Sequence, residues 1–584
     1  MTRRLLTQVG MAITFAAVCA IDRFGTGVLA APPDWPLSSP AVTFNRDVAP
    51  VVYRSCSRCH RPGEAAPFSL LTYADVKSHA RQIAAITRSR IMPPWLPDPQ
   101  QVAFADELRL SEDEISLFQK WVDQGEVEGA PSDLPPPPKF VEGWQLGKPD
   151  LVLTAEKPFR LPASGIDTYW NFIFRLPFEG TRWARAVEIR PGDKRYVHHA
   201  NILVDRTHSA RRREQEPGAG FAGMEIRLES ESFEPDSHFL FWKPGTVPSN
   251  EPEGMALRLD NDTDLVLNVH LQPSGKSEPI QPSLGIYFTD KPATLYPMLL
   301  QLEADAQLDI PAGEQNFLVT DDFTLPVDVS LLGVYPHAHY LGKDMVALAK
   351  LPDGTTKTLI HIPRWDLNWQ AVYRYAVPVP LPEGTKISMR YTYDNSEENL
   401  LNPSHPPHRV TGGNRSVDEM AHLWLQVLPK TSGASGRDPR MVLQEALARH
   451  DVDKRPRDFE ALYNLGAMLQ AEGQFEQAIA QYEPALRVRP DDPTAHNAMG
   501  GALFATGHPE EAVRHFKAAL HARPEYFAAH YNLGIALAEE GDFAAAADQL
   551  RAAVDLNPQD ADAHANLGSA LAELGRKSDA KAQF

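Results

Sequence analysis

The feature that most constrains the fold is a repeat with a period of 34 residues in the last part of the chain. Glycine, alanine and proline each recur in their own register. The recurring residues are Gly466, Gly500, Gly534 and Gly568, then Ala478, Ala512, Ala546 and Ala580, and then Pro490, Pro524 and Pro558. Self-similarity at a fixed period is the signature of a stacked repeat architecture.

The repeated segment Asn-Leu-Gly, at 464–466, 532–534 and 566–568, resembles the text of tetratricopeptide repeats. The resemblance covers residues 453–584 and implies four two-helix units in an all-α solenoid with a concave face. The small residues are expected where the two helices of a unit pack closely. Arrays of this kind bind protein segments, so we expect a protein partner; a purely structural spacer is the alternative.

The motif Cys56-Ser57-Arg58-Cys59-His60 is a second constraint. Two cysteines three residues apart, followed at once by histidine, form the pattern that attaches c-type haem. The cysteines bond to the vinyl groups and the imidazole of His60 ligates the iron. A zinc site is disfavoured because there is no second cysteine pair to complete four ligands. A redox dithiol would need a βαβ context, which is absent. The sequence therefore predicts a covalent haem c.

Residues 41–130 around this motif resemble class I cytochromes c, an all-α domain. A helix is predicted over 44–53, and a capping box from Ser111 to Glu114 begins a helix that Gly125 ends. By the resemblance, the sixth iron ligand is Met92, in a proline-rich loop. His79, on a helix predicted over 73–86, is the rival ligand.

The N-terminus predicts a secretory signal peptide over residues 1–30. Arg3 and Arg4 are followed by a short apolar run over 9–21 and by small residues before Ala31. A lipoprotein with Cys19 as acceptor is the alternative. The prediction is an exported protein, periplasmic or otherwise extracytoplasmic. No stretch is long enough to span a membrane, and a net charge of −19 argues against a nucleic-acid partner.

A proline-rich break at 134–138 precedes a region that is predicted to be β-structure. Short alternating runs at 169–176, 265–271 and 387–393 are separated by turn residues. The length fits two antiparallel sandwiches, over 141–290 and 291–430.

Within this region the histidines stand in a definite order. The series is His198-His199, His270 at a strand end, His337-Ala338-His339, and then Met420. Residues two apart on a strand face the same side, so His337 and His339 can hold one metal. The adjacent pair needs a bend or bulge to share one. Imidazole together with thioether suits copper. His422 is expected on the same side as Met420, lining the pocket.

This ordered set resembles the copper type II, ascorbate-dependent monooxygenases, which include the peptidylglycine α-hydroxylating and dopamine β-monooxygenases. The resemblance implies two jelly-roll domains with one copper on each facing side. His198, His199 and His270 would then bind the electron-transfer copper. His337, His339 and Met420 would bind the copper that activates O2 and would be the catalytic set. The segment 242–245 also resembles a segment of that family.

The chain departs from the family in ways that bear on its substrate. Tyr335 stands where peptidylglycine enzymes have an arginine for the substrate carboxylate, and His422 and Trp424 stand where they have asparagine and tyrosine. No cysteine follows His199. These differences disfavour a peptide C-terminus and favour an aromatic or apolar molecule.

The sequence thus predicts an exported monooxygenase that hydroxylates a C–H bond of a small organic substrate with O2. The haem would relay electrons from an external donor to the copper. The alternative is a non-enzymatic haem and copper electron carrier or sensor, docked to a partner through its repeats. A third reading is a scaffold whose metal sites are vestigial.

Overall fold

The computed structural model of the protein describes residues 41–99, 103–165, 167–224, 238–273, 275–430 and 437–583. The predicted signal peptide lies outside these residues. Four regions follow one another: a helical unit, two β-regions and a helical repeat. None of the described helices is both long and apolar enough to cross a lipid bilayer.

The N-terminal region is a small helical unit whose core contains Phe118 and Trp121. Its helices are a π-helical segment Phe44–Val48, α1 (Ala49–Ser55), α2 (Tyr73–Ser78), α3 (Ala80–Arg88) and α4 (Glu112–Asp123). The predicted capping box at Ser111 is confirmed, and Gly125 follows α4 with φ +88°. The helix expected over 73–86 is instead divided at His79, whose ring stacks on Phe68 with centres 3.9 Å apart.

The first β-region is built from two antiparallel sheets, in the orders β1-β11-β4-β8 and β6-β3-β9-β5-β7, and a short β10-β2 pair. The strands are β1 Leu151–Thr154, β2 Phe159–Leu161, β3 Thr168–Arg175, β4 Thr181–Arg190, β5 Val197–Asp205, β6 Phe221–Ala222, β7 Phe241–Trp242, β8 Leu257–Asp260, β9 Asp264–Leu271, β10 Glu278–Ile280 and β11 Ser283–Thr289. Leu259 and Ile286 of one sheet share a core with Phe172 and Leu267 of the other. The region is therefore a sandwich, which we call the first sandwich.

The second β-region has the sheet orders β12-β21-β15-β18 and β14-β19-β16-β17, with a short β13-β20 pair. The strands are β12 Met298–Glu303, β13 Asp309–Ile310, β14 Phe317–Thr324, β15 Val329–His337, β16 Gly342–Lys350, β17 Thr356–Ile362, β18 Tyr373–Leu381, β19 Lys386–Tyr393, β20 Val410–Thr411 and β21 His422–Pro429. Leu331 and Leu425 share a core with Met389 and Tyr391 of the opposite sheet. This region is the second sandwich.

The three alternating runs that the sequence predicts as strands are confirmed. They are β3 and β9 of the first sandwich and β19 of the second.

The C-terminal region is a stack of helices. These are α5 (Pro439–Lys454), α6 (Phe459–Ala471), α7 (Phe475–Val488), α8 (Pro493–Ala505), α9 (Pro509–Ala522), α10 (Phe527–Glu539), α11 (Phe543–Leu556), α12 (Ala561–Glu573) and α13 (Lys577–Lys581). A Cβ added at Gly500 would lie 2.6 Å from the Phe516 ring, and one at Gly534 would lie 2.6 Å from Leu550. The recurring glycines therefore allow the close helix contacts that the repeat predicted.

Helix α5 joins this stack to the second sandwich. Its Leu443 is fully buried in the core of that sandwich. On the same helix, His450 and Lys454 reach Asp321 of β14, at 2.8 and 2.6 Å. Both apolar and charged contacts thus hold the solenoid against the second sandwich.

Candidate metal centres

The two cysteines of the predicted haem motif are free thiols at the end of α1. Burial raises the pKa of Cys56 to about 12 and also raises the pKa of Cys59. His60 approaches the carbonyl oxygen of Phe68 through Nδ1, at 3.3 Å. If Nδ1–H donates to this carbonyl, Nε2 keeps its lone pair, as an iron ligand requires. The motif therefore has the chemistry that haem attachment needs.

These residues open into a cavity of about 1040 Å³. The wall includes Cys56, Cys59, His60 and Met92, so the structure brings Met92 to the same cavity as the motif. Residues of both sandwiches, among them Phe241 and Trp369, complete the wall. His79 does not line this cavity; it stacks on Phe68 beside His60. Met92 and the motif thus share one cavity wall, while His79 lies outside it.

The segment 242–245 lines this cavity and also contacts the strand that carries the first histidine pair. Gly245 lies so close to the motif that an added Cβ would be 2.8 Å from the Cys59 sulfur. Trp242, three residues earlier, pairs with Ala200 of β5, the strand that carries His198 and His199. The haem motif and the first histidine pair are therefore joined by one short piece of chain.

The structure brings His198, His199 and His270 together as a first cluster. The β5–β9 register shifts between Val197 and His199, which is the bulge that an adjacent pair needs to face one neighbour. The ring centre of His270 lies 4.9 Å from that of His198 and 5.0 Å from that of His199. Two imidazoles on one tetrahedral ion have ring centres about 5 Å apart, because each metal–nitrogen bond is about 2.0–2.1 Å.

The His270 ring of this cluster is held in place by two neighbouring side chains. His270 contacts Asp167 through Nε2 at 3.1 Å, and its Nδ1 is buried without a hydrogen-bond partner among the described residues. The Tyr169 ring stacks on His270, with centres 4.3 Å apart. A carboxylate on one imidazole nitrogen and an unoccupied second nitrogen are typical of a metal ligand. The Nδ1 of His198 is likewise buried and unpartnered.

The second cluster contains His337 and His339, with ring centres 5.3 Å apart. The strand β15 ends at His337, so His339 lies in the following loop rather than on the strand. Its Nδ1 contacts the carbonyl oxygen of Asp418 at 2.8 Å, and its Nε2 is buried and unpartnered. The neighbouring Met420 is 4% exposed.

Glu419 holds these two segments together. Its fully buried carboxylate accepts the backbone N–H groups of His339 at 2.8 Å, Leu341 at 2.6 Å and Met420 at 3.2 Å. Burial raises the pKa of Glu419 to about 8, against the opposing effect of the three donors. One side chain therefore fixes the loop of His339 beside that of Met420.

Burial also keeps the clustered histidines neutral. It lowers the pKa of His198 to about 4, of His337 to about 3 and of His339 to about 4, and neighbouring imidazoles lower each of them further. The pKa of His199 is held well below its ordinary value for the same reasons. Metal ligation requires neutral imidazole, so these four side chains are in the protonation state that a metal needs at neutral pH.

One amide connects the two clusters. Gln370, which follows the 3₁₀ turn Leu367–Trp369, is buried. Its Oε1 lies 2.8 Å from the Nδ1 of His337 and accepts the Tyr335 hydroxyl at 2.8 Å, while its Nε2 lies 3.2 Å from the Nδ1 of His199. The two sandwiches are in contact at this point, and each cluster is one side chain away from the other.

Two acidic residues lie close to the second cluster, next to His422. Glu303, Asp305 and His422 offer ligand atoms that all lie within 4.8 Å of one another. Among the described residues, His198, His199 and His270 do not meet this distance criterion for three ligand atoms, and neither do His337, His339 and His422. The rings of the clusters would therefore have to turn to bring their nitrogens onto one ion.

Sequence reasoning missed the residues that orient the ligands. Asp167, Gln370 and Asp305 lie in loops or turns far from the histidines in the chain, and no short motif marks them. Glu419 was part of the segment around Met420, but nothing in the sequence revealed that it accepts three backbone donors. Tyr340, whose hydroxyl donates to Asp167 at 3.0 Å, belongs to the same group.

Comparison with known families identifies the C-terminal region. Models described as tetratricopeptide repeat match residues 497–560 and 531–584, and one described as TPR repeat matches residues 468–507. The predicted tetratricopeptide repeats are confirmed. No curated protein is significantly similar to the chain.

Solved structures also resemble a quarter of the chain. "Crystal structure of MamA" is 19% identical, with 25% of this chain and 85% of that chain covered and a TM-score of 0.24. "MamA 41-end from Desulfovibrio magneticus RS-1" is 25% identical, with 25% and 80% covered and a TM-score of 0.23. At these TM-scores the likeness carries no weight for the function of this chain.

Proposed function

We propose that the protein is an exported, copper-dependent monooxygenase that hydroxylates a C–H bond of a small organic substrate with O2. The observation that carries the proposal is the pair of buried imidazole clusters joined through Gln370. Each cluster combines rings about 5 Å apart with a buried, unpartnered nitrogen. The two sandwiches are, in this proposal, the two jelly-roll domains of the copper monooxygenases that the sequence resembles.

The residues divide into two sites. His198, His199 and His270 would hold an electron-transfer copper, and His337, His339 and Met420 would hold a catalytic copper. Copper in the second site would supply the activation of O2, and copper in the first would supply an electron. Burial keeps His198, His199, His337 and His339 neutral. The protein also fixes the nitrogen that faces away from the metal, through Asp167 for His270 and through the Asp418 carbonyl for His339.

The haem domain supplies the inlet for electrons in this proposal. Cys56 and Cys59 would bond haem c, His60 would ligate its iron, and Met92 would be the sixth ligand in a cytochrome c fold. Lys243, whose pKa burial lowers to about 8, lines the same cavity and could pair with a haem carboxylate. Both sandwiches contribute to the wall of this cavity. Phe241 in that wall stacks on His199, so electrons from an external donor would pass from the haem to the first cluster across one side chain.

The surroundings of the second cluster indicate the class of substrate. Tyr335 stacks on Trp424, with centres 5.3 Å apart, and both rings lie near His337. The Tyr335 hydroxyl is already committed to Gln370. These aromatic rings, with Tyr335 at the position of the arginine in peptidylglycine enzymes, suit an apolar or aromatic molecule better than a carboxylate. An extracytoplasmic location would follow from the signal peptide that the sequence predicts, and the solenoid would dock a protein segment.

The deciding experiment is copper-dependent O2 uptake by the pre-reduced, full-length protein across a panel of small organic metabolites. We expect uptake coupled to one hydroxylated product, and its loss in Met420→Leu, which removes the sulfur while keeping the volume. Met298→Leu, another buried methionine of the second sandwich, is the matched control and should keep uptake. Copper binding without substrate-coupled uptake would favour the electron carrier instead. Fewer than two coppers per haem would favour the scaffold.

The relay is tested separately. Cys56→Ala with Cys59→Ala removes covalent haem and should abolish turnover with a physiological donor. Turnover with a chemical reductant should persist. If turnover with the physiological donor survived in this variant, the haem would have no part in the reaction.

A further inference from the structure

His422 shares an arrangement with the predicted ligand histidines. Its Nε2 contacts the Asp305 carboxylate at 2.8 Å, while its Nδ1 is buried and has no hydrogen-bond partner among the described residues. His270 has the same pattern with Asp167. The residue is nine-tenths buried, with 9% exposure. An imidazole held by a carboxylate, with its other nitrogen free in a buried site, is oriented for a metal.

The strand register places His422 at the second cluster. It begins β21 and lies directly opposite His337, the last residue of β15, in the antiparallel pair. Their ring centres are 6.2 Å apart. Imidazoles on opposite sides of one ion have ring centres about 6.3 Å apart, and imidazoles at a tetrahedral angle about 5 Å. The ring centres of His422 and His339 therefore lie 6.2 and 5.3 Å from that of His337, within the range for a shared ion, and the rings would have to turn to bring three nitrogens onto it.

The neighbouring carboxylates are already engaged. Glu303 pairs with Arg455 of the segment after α5, at 3.5 Å. Asp305 accepts the backbone N–H of Ala421 at 2.7 Å through one oxygen and contacts His422 through the other. These contacts make the acidic pair a support that orients the imidazole, rather than a metal cage of its own.

We propose that His422 is a third imidazole ligand of the second metal site, beside His337 and His339, with Met420 as the thioether ligand. This inference rests on the proposed function, because it assigns a further ligand to the same copper. Three imidazoles and one thioether suit copper, which accepts both nitrogen and sulfur ligands. Asp305 is then a positioning residue that fixes the ring through Nε2.

The test counts imidazole nitrogens on the second copper of the full-length protein. A background with His198→Ala and His199→Ala removes the first site, so that Cu(II) added to the haem protein reports only the second. Pulsed EPR with X-ray absorption should then find three imidazoles, and two after His422→Ala. His361→Ala is the matched control: its ring also contacts a carboxylate, Asp344 at 2.9 Å, but is one-third exposed, and the count should stay at three.

Each outcome separates the inference from the proposed function. Copper held by two imidazoles and Met420, unchanged by His422→Ala, would overturn the third ligand and leave the monooxygenase proposal standing. Copper held by Glu303 and Asp305 oxygens would overturn it as well. No copper at the second site in any variant would overturn the proposed function itself. The count in the background with His422 intact needs no His422 variant, so it decides the question even if His422→Ala does not fold.

Discussion

Glu419 shows how a single buried side chain can set the geometry of a site without being a ligand. Its two carboxylate oxygens accept three backbone N–H groups from two separate loops. In Glu419→Gln, an amide NH2 replaces one carboxylate oxygen. This NH2 is itself a donor, so it cannot accept the backbone N–H groups that the oxygen accepted. A hydrogen bond contributes about 0.5–1.5 kcal/mol, and a buried donor left without an acceptor costs about 1–3 kcal/mol.

We therefore expect Glu419→Gln to lower the free energy of unfolding by about 1.5–3 kcal/mol. It should also weaken copper binding at the second site before the first, because His339 and Met420 lose their common support. Urea unfolding and a copper titration followed by EPR measure the two effects. Exposed Glu397→Gln is the control and should change neither. Equal copper affinity in the two variants would show that Glu419 does not position the site.

Some residues of the two clusters can be predicted from the sequence and others cannot. The ordered histidines and Met420 could be chosen because strand periodicity and ligand chemistry act over a few residues. The need for a bulge at His198-His199 followed from the same periodicity, and the register shift confirms it. Gln370 and Asp167 could not be found in this way, since only the contact between the two sandwiches brings them to the histidines.

Elements were predicted best where one local rule decides them. The capping box of α4 and the alternating run of β19 are confirmed because each depends on a few neighbouring residues. The helix over 73–86 was wrong at His79, where a tertiary contact with Phe68 accompanies the break. The repeat was the clearest case, because one spacing recurs over four units.

At this scale, two adjacent glycines of α8 give a matched test. An added Cβ at Gly500 would lie 2.6 Å from the Phe516 ring, but at Gly501 the nearest atom is the amide nitrogen of Gln470, at 3.2 Å on a flexible side chain. Both substitutions gain helix propensity, about 1 kcal/mol. Only Gly500→Ala overpacks the contact between α8 and α9, which costs about 1–3 kcal/mol.

Gly500→Ala should therefore lower the thermal stability of the solenoid, and Gly501→Ala should leave it equal or raise it. Thermal unfolding followed by circular dichroism at 222 nm, with the haem absorbance as a separate probe, measures the difference. A Gly500→Ala protein as stable as Gly501→Ala would mean that the two helices can separate without cost.

At the scale of the whole molecule, α5 determines how the solenoid is attached. Burial alone would raise the pKa of Asp321, but hydrogen bonds from His450 and Lys454 outweigh it and hold the pKa below its ordinary value. A carboxyl group with a lowered folded pKa stabilises the folded state above its ordinary value of 3.8 and loses this contribution as the pH falls through the folded value. The attachment should thus weaken in acid.

Asp321→Asn should cost about 1.5–3 kcal/mol and remove that acid dependence. The next residue, Asp322, pairs with Lys386 on a more exposed surface, and Asp322→Asn is expected to cost at most about 1 kcal/mol. Urea unfolding at pH 7 and at pH 3 compares the two. An Asp321→Asn protein with the acid sensitivity of the parent would place the sensitive contact elsewhere.

The helical unit and both sandwiches contribute residues to one cavity. In the proposed function, electrons would pass from this cavity to the histidine clusters. Phe241 lines the cavity of the haem motif, and its ring stacks on His199 with centres 5.7 Å apart. Its ring also lies 5.5 Å from Tyr335, which is hydrogen-bonded to Gln370. An aromatic ring thus connects the cavity of the Cys56–His60 motif to both clusters.

We expect Phe241→Leu to slow the oxidation of reduced haem by Cu(II) several-fold, with unchanged haem content and midpoint potential. Phe239→Leu is the control, because Phe239 lines the same cavity with its ring centre 6.4 Å from Tyr335 and is expected to leave the rate unchanged. Anaerobic stopped-flow absorbance of the haem measures the rate without turnover. Equal slowing by both variants would indicate a general change in the cavity. An unchanged rate in Phe241→Leu would place the electron path elsewhere, either through Trp242, which pairs with β5, or through Trp369 and Gln370.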